Sequence, residues 1–249
     1  MDNKGLFSDA LSYTKVTFFG NWIRWALFVM CALPGLLTAV LWVNISNSPT
    51  MYWDLLPLLA LSQLATVIMF LPPMGYLARI FRGPTTPPEF DNWGALFVDG
   101  IRVTATYLLW LLPALILPFA LVGLCLTGSL TEWLALLVSL LSPVLLIAVF
   151  VLVQLYSDLG AIRCARTNNV LEGLNIPTLT QTMQTIGWVK YIVAQIILLV
   201  LFVPFLILPL TLGFIPYAPD LVTCLITPFY LVFATRYLTQ LYNQGIPQQ

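Results

Sequence analysis

A chain of 249 residues with 60% apolar side chains, 8% charged ones and a mean hydropathy of +0.93 lies far outside soluble globular domains, where about a quarter of residues carry charge. Ten cations balance ten acids and histidine is absent, which excludes a basic nucleic-acid surface, His-based triads, His-ligated zinc or haem and His proton relays. The composition is that of an integral membrane protein, whose spans need about 20 apolar residues each to cross a hydrocarbon core of about 30 Å.

The first predicted element is a short amphipathic stretch from Leu6 to Phe19, with Leu6, Phe7, Ala10, Leu11 and Tyr13 near one face. Between Arg24 and Asp54 lie 29 uncharged residues, and between Asp54 and Arg79 another 24. These runs predict a helix over 22–44 and a return helix over 55–80. A second amphipathic stretch runs from Phe90 to Ile101, where Phe90, Trp93, Phe97 and Ile101 recur every three or four residues while Asp91, Asn92 and Asp99 lie elsewhere. The 29 uncharged residues from Arg102 to Glu132 and the 25 from Glu132 to Asp158 then predict helices over 102–126 and 132–158. The third stretch, Ile176 to Val189, sets Leu179, Met183 and Ile186 against Thr178, Gln181 and Gln184. It precedes 29 uncharged residues from Lys190 to Asp220 and 15 from Asp220 to Arg236, read as helices over 189–212 and 221–242. Each amphipathic stretch suits a helix lying in the membrane interface.

The expected fold is therefore an all-α membrane protein of one domain, 1–249, with six transmembrane helices arranged as three repeats of interfacial amphipathic helix plus transmembrane hairpin. The repeats cover approximately 6–82, 88–166 and 176–243. Local matches support them: Pro113-Ala-Leu-Ile-Leu-Pro118 with Pro204-Phe-Leu-Ile-Leu-Pro209, and Ser142-Pro143 then Leu152-Val-Gln-Leu-Tyr156 with Thr227-Pro228 then Leu238-Thr-Gln-Leu-Tyr242. Leu- and Pro-rich membrane segments also match by chance, so both readings stand at this point.

Every cation flanks the same set of ends: Lys4, Lys15 and Arg24; Arg79, Arg82 and Arg102; Arg163, Arg166 and Lys190; and Arg236. The opposite links, roughly 45–54, 127–132 and 213–220, hold none. Retention of Lys and Arg on the inner side then places both termini in the cytoplasm of a protein in the cell membrane. The first apolar run is too long for a cleaved signal peptide. Cys31, Cys125, Cys164 and Cys224 form no C-x-x-C pair; Cys125 and Cys224 fall near one leaflet, where they either pair or simply pack.

Each span holds at least one proline, which either hinges helices around a substrate cavity or kinks them statically. Polar side chains inside the spans are Ser62, Gln63, Thr66, Ser139, Ser142, Gln195 and Thr227, and packing alone can use them. No ionisable group falls at mid-depth. No catalytic residue, metal-ligand set, cofactor fingerprint or nucleotide loop is recognisable.

Specific residues concentrate between the second and third spans: Gly75, Tyr76, Arg79, Pro88, Glu89, Phe90, Asp91, Trp93 and Asp99. They form the candidate interaction motif. Its carboxylates suit a cation, an amine or a partner's basic face. Ordinary structural duties also account for it, with Pro88 breaking the chain, Asp91 capping the next helix and Phe90 and Trp93 anchoring in the interface. In Gly75-Tyr76-x-x-Arg79 and Pro88-Glu89-Phe90-Asp91-x-Trp93-Gly94-x-Leu96-Phe97-Val98-Asp99-Gly100 the chain resembles the domain-of-unknown-function four-zero-one-three family, uncharacterised archaeal and bacterial integral membrane proteins. The similarity extends through Gly160-Ala161-x-Arg163, Gly187-Trp188 and Tyr237 to Gly245, with fewer charges than that family carries between spans four and five. The resemblance implies a multi-spanning helical membrane protein and no particular activity.

The leading functional expectation is a non-enzymatic component that organises membrane, binding lipid, a membrane-protein partner or a second copy of itself. The alternative is a transporter or channel for a small neutral or lipophilic solute. A lipid-modifying intramembrane enzyme is third, with Glu89, Asp91 and Asp99 as its only carboxylates.

Overall fold

The computed structural model describes residues 3–126, 131–215 and 217–245. Helix accounts for 89% of the described residues, and there is no strand among them. Helix α1 (Asn3–Phe19) ends at Gly20, and Asn21 starts the next helix by accepting the Ile23 amide at 3.2 Å on its side chain. Then follow α2 (Trp22–Asn47), a 3-10 turn at Pro49–Met51, α3 (Tyr52–Phe81), α4 (Trp93–Leu126) and α5 (Glu132–Thr167). The chain closes with α6 (Val170–Gly173), α7 (Ile176–Ile186), α8 (Trp188–Thr211) and α9 (Ala218–Gln244). Helices α2, α3, α4, α5, α8 and α9 are each long and apolar enough to cross a membrane.

Consecutive spans pack as α2 on α3, α4 on α5 and α8 on α9, while α3 also packs along α4, and α9 closes the bundle against α1, α2 and α3. The prolines are absorbed within continuous helices, from Pro34 in α2 to Pro228 in α9. Thr38 Oγ1 donates to the Pro34 carbonyl at 3.0 Å, one of the hydroxyl-to-carbonyl bonds open to a proline-containing membrane helix.

The buried core sits at one end. It takes in Met74–Phe81 of α3, Leu96 and Val103 of α4, Leu159–Ala165 of α5, Leu179 and Met183 of α7, Tyr191 and Ala194 of α8, and Val232–Tyr242 of α9. This is the end that bears the cations. Toward the other end most apolar side chains point outward, apart from a small buried cluster of Leu41, Ile45 and Leu59 between α2 and α3, and none of the most apolar stretch of α5 is buried. In lipid, exposing an apolar side chain costs nothing, so a tight end and an open end are compatible in one bundle.

Three expected elements take a different form. The stretch from Phe90 to Ile101 is no separate interfacial helix: α4 runs unbroken from Trp93, and its buried face carries Leu96, Asp99, Gly100 and Val103, while Trp93 and Ile101 are exposed. The cause is a backbone contact, because a side chain on Gly75 would overlap the Leu96 carbonyl and one on Gly100 the Leu71 carbonyl. Two helices meeting through glycines bury the glycine face, whatever the spacing of their aromatic residues. Helix α1 does bury Leu6, Ala10 and Tyr13, but it also buries Thr14, Thr17 and Phe18 and leaves Phe7 and Leu11 partly outside, since it packs on α9. Helix α5 continues nine residues past its expected end at Asp158. Helix α7 buries Leu179, Met183 and Ile186 as the spacing predicts, and Gly187, at φ +94°, turns the chain into α8.

Candidate functional site

The candidate motif folds into a set of latches at the basic end. Gly75 makes the close α3–α4 contact, and Tyr76, wholly buried, stacks on Phe90 with ring centroids 4.5 Å apart. Phe28 of α2 meets both rings edge-on at 5.3 and 5.4 Å. Arg79 forms an ion pair with Asp91 and also donates to the Glu89 carbonyl at 2.7 Å and the Asp91 carbonyl at 2.9 Å. The loop is thereby folded back onto α3, with Pro88 half-buried in it. The Arg79 hydrogen bond holds the exposed Asp91 carboxyl below its ordinary range. Asn92, not Asp91, caps α4, its Oδ1 accepting the Ala95 amide at 3.3 Å. The Glu89 side chain is exposed, and Trp93 is 44% exposed.

Asp99 lies apart from Glu89 and Asp91 in its chemistry. Its buried carboxylate accepts from Arg82 at 2.7 Å and lies 3.6 Å from Arg102. Arg82 in turn donates to the Ala165 carbonyl at 2.9 Å and to Asn168 at 2.8 Å, while Arg166 donates to the Phe81 carbonyl at 3.0 Å. The ends of α3 and α5 are thus tied reciprocally. Arg163 pairs with Glu172 at 2.6 Å in the following link, and Arg236 pairs with Asp9 of α1 at 2.8 Å beneath the Tyr13 ring. Burial pushes the Tyr13 hydroxyl up to about 12, against the pull of Arg236 and Arg24. The contacts of Tyr76, Arg79, Phe90, Asp91 and Asp99 described above join elements of this protein itself.

Two features escaped sequence reasoning. Asp158 is 5% exposed and has no cation partner among the described residues. It accepts from Gln154 and Gln195 at 3.0 Å each and from the Tyr107 hydroxyl at 3.3 Å, so α4, α5 and α8 converge on it. Tyr191 extends the cluster, receiving Gln195 at 3.0 Å and donating to the Leu155 carbonyl at 2.6 Å. An acid read as a boundary marker is an interior group one to two turns inside Arg163. Gln154, four residues before Asp158 on one helix face, was the only local signal.

The second feature is an apolar groove of about 360 Å³ between α2, α3 and α9, lined by Phe28, Gly35, Thr66, Phe70, Cys224 and Thr227 among others. Asp220 lines it too. Beside it, the Thr38 and Ser62 hydroxyl oxygens lie 2.9 Å apart across α2 and α3, so those hydroxyls serve helix packing. A further hollow of about 660 Å³ lies on the α2–α3 surface, lined almost entirely by aliphatic side chains with Trp93 at one side. Cys224 is a free thiol, and its suggested partner Cys125 has a side chain outside the described ones, as have Glu132 and Ser139. Among the described residues, no three metal-ligating side chains come together.

The sequence pattern of the family described as "Protein of unknown function (DUF4013)" matches residues 58–217. That is more than half of the chain, and the protein belongs to this family. The match covers the glycine contact, the Arg79 and Arg82 latches and the Asp158 cluster. No curated protein and no solved structure matches the chain.

Proposed function

We propose that this family member is a multi-pass protein of the cell membrane with both termini cytoplasmic, acting as a non-enzymatic lipid-binding component. Its three hairpins are read as repeats, a reading supported by the shared habit of α3 and α5, each ending in an arginine that binds the next link and a second arginine that reaches the other helix. The observation that carries the functional reading is the groove between α2, α3 and α9. Its volume falls in the range of small-ligand sites, and its lining is almost wholly apolar. Within the hydrocarbon depth of a bilayer, the molecule that wets such a surface is a lipid chain. The motif at the basic end supports it indirectly, since Tyr76 and Phe90 hold Phe28 of α2 against α3 where the groove begins.

The test is lipid retention. Purified in mild detergent and measured by native mass spectrometry, the wild-type protein is expected to carry bound phospholipid. Gly35→Trp, which fills the groove from a position with ordinary room beside Thr66, is expected to lose it while keeping its thermal midpoint. A wild-type protein free of lipid, or a filled groove that binds lipid as before, overturns the reading.

A transporter or channel for a small solute is the second reading, favoured by Asp158. A carboxylate buried among helices without a cation is the usual mark of a membrane pathway. The enzymatic reading draws no support from Glu89, Asp91 and Asp99, which are respectively exposed, paired with Arg79 and paired with Arg82.

A further inference from the structure

At the basic end of the groove one guanidinium stands out. Arg79, Arg82, Arg102, Arg163 and Arg236 all lie against carboxylates, and Arg166 is held by the Phe81 carbonyl and Asn243. Arg24 has no side-chain partner among the described residues, although it is half-buried and its Nε is buried completely. It stands one helical turn before Phe28, which lines the groove. The Tyr76 hydroxyl is likewise buried without a partner, three residues beyond Pro73 of the groove wall, and Arg24 is the cation that acts on it most strongly. Arg24 thus brings an unmet buried donor to within one helical turn of the Phe28 end of the groove. An unmet buried donor costs about 1–3 kcal/mol, more when charged, which selects for an acceptor there.

We infer that Arg24 receives the phosphate of an anionic phospholipid whose acyl chain lies in the groove between α2, α3 and α9. This rests on the lipid-binding reading and adds the headgroup class and its polarity. A guanidinium offers a planar fork of donors matched to phosphate oxygens. From Phe28 to Ala39 the groove follows α2 for about 16 Å at 1.5 Å per residue, comparable with one leaflet of a core about 30 Å thick. Asp220 on the groove lining carries the opposite charge near the far end of α9. The channel is thus positive at one mouth and negative toward the other, and an anionic head is directed to Arg24.

The experiment compares phosphatidylglycerol with diacylglycerol of the same acyl chains, titrated into the full-length protein in detergent and followed by native mass spectrometry. The wild type is expected to prefer the phospholipid by about tenfold, the worth of a single charge-assisted contact. Arg24→Gln should abolish the preference while still binding diacylglycerol, and Arg24→Lys should keep part of it. Thermal midpoints verify that each variant is folded. A preference unchanged in Arg24→Gln overturns the headgroup assignment and leaves the groove reading intact. Loss of neither lipid in Gly35→Trp overturns the groove and this inference together. Inorganic phosphate that stabilises the wild type as much as phosphatidylglycerol does would mark the free anion as the ligand and overturn the lipid assignment.

Discussion

Asp91 and Asp99 carry the same charge eight residues apart, and their surroundings give them different work. Asp99 is buried with arginines from two elements, so its loss strands cations that pair with no other carboxylate among the described residues. Asp91 is exposed and closes a loop through Arg79. Because that hydrogen bond lowers the Asp91 pKa in the folded protein, its contribution is fully present above the ordinary carboxylate value of about 3.9 and fades as pH falls through the lowered folded value. The expected outcome for Asp91→Asn is a small loss of thermal stability at neutral pH that vanishes on acidification, read from unfolding midpoints taken between neutrality and about pH 3. An equal loss at both extremes would show that the pair does not titrate with folding.

Helix α4 shows how one contact redirects a whole segment. Its aromatic spacing favours one face, yet the face that packs is the one holding Leu96, Asp99 and Gly100, because only there can the α3 backbone approach. Gly75→Ala or Gly100→Ala would drive a methyl into a carbonyl of the neighbouring helix, a rigid obstacle that can yield only by separation of the two axes. Either change is expected to cost about 3 kcal/mol or more, at the upper end of overpacking penalties. The measurement is the thermal midpoint and the yield of folded protein in detergent. Gly123→Ala, where a side chain meets open space, serves as the control and is expected to be neutral.

The bundle as a whole is tight where the cations are and open where they are not. That asymmetry accounts for the position of both the latches and the groove, and it gives the proposed orientation a direct test. In a background without native cysteines, Ser8→Cys and a cysteine appended after Gln249 are expected to react with a membrane-impermeant reagent only after the cell is opened. Thr50→Cys, on the turn between α2 and α3, should react in intact cells. Labelling of Ser8→Cys and Thr50→Cys from one compartment would refute the hairpin, and labelling of the two ends from different compartments would refute the even number of crossings.

The six helices long and apolar enough to cross a membrane, their approximate limits and the family were legible from residue order, because that capacity depends on a property that adds up along the chain: some twenty apolar residues between charges. The starts of α2 and α8, at Trp22 and Trp188, fall within one residue of the expected 22 and 189. What each charged group does was not legible, since Asp54, Asp158 and Asp220 look alike as punctuation between apolar runs. Only the packing of α4 and α8 around α5 turns Asp158 into an interior group, only the glycine contact decides which side of α4 is buried, and only the closure of α9 on α2 and α3 creates the groove beside Arg24. Burial and partnership depend on residues tens to hundreds of positions apart, and a carboxylate's or a guanidinium's role follows from what faces it across that distance.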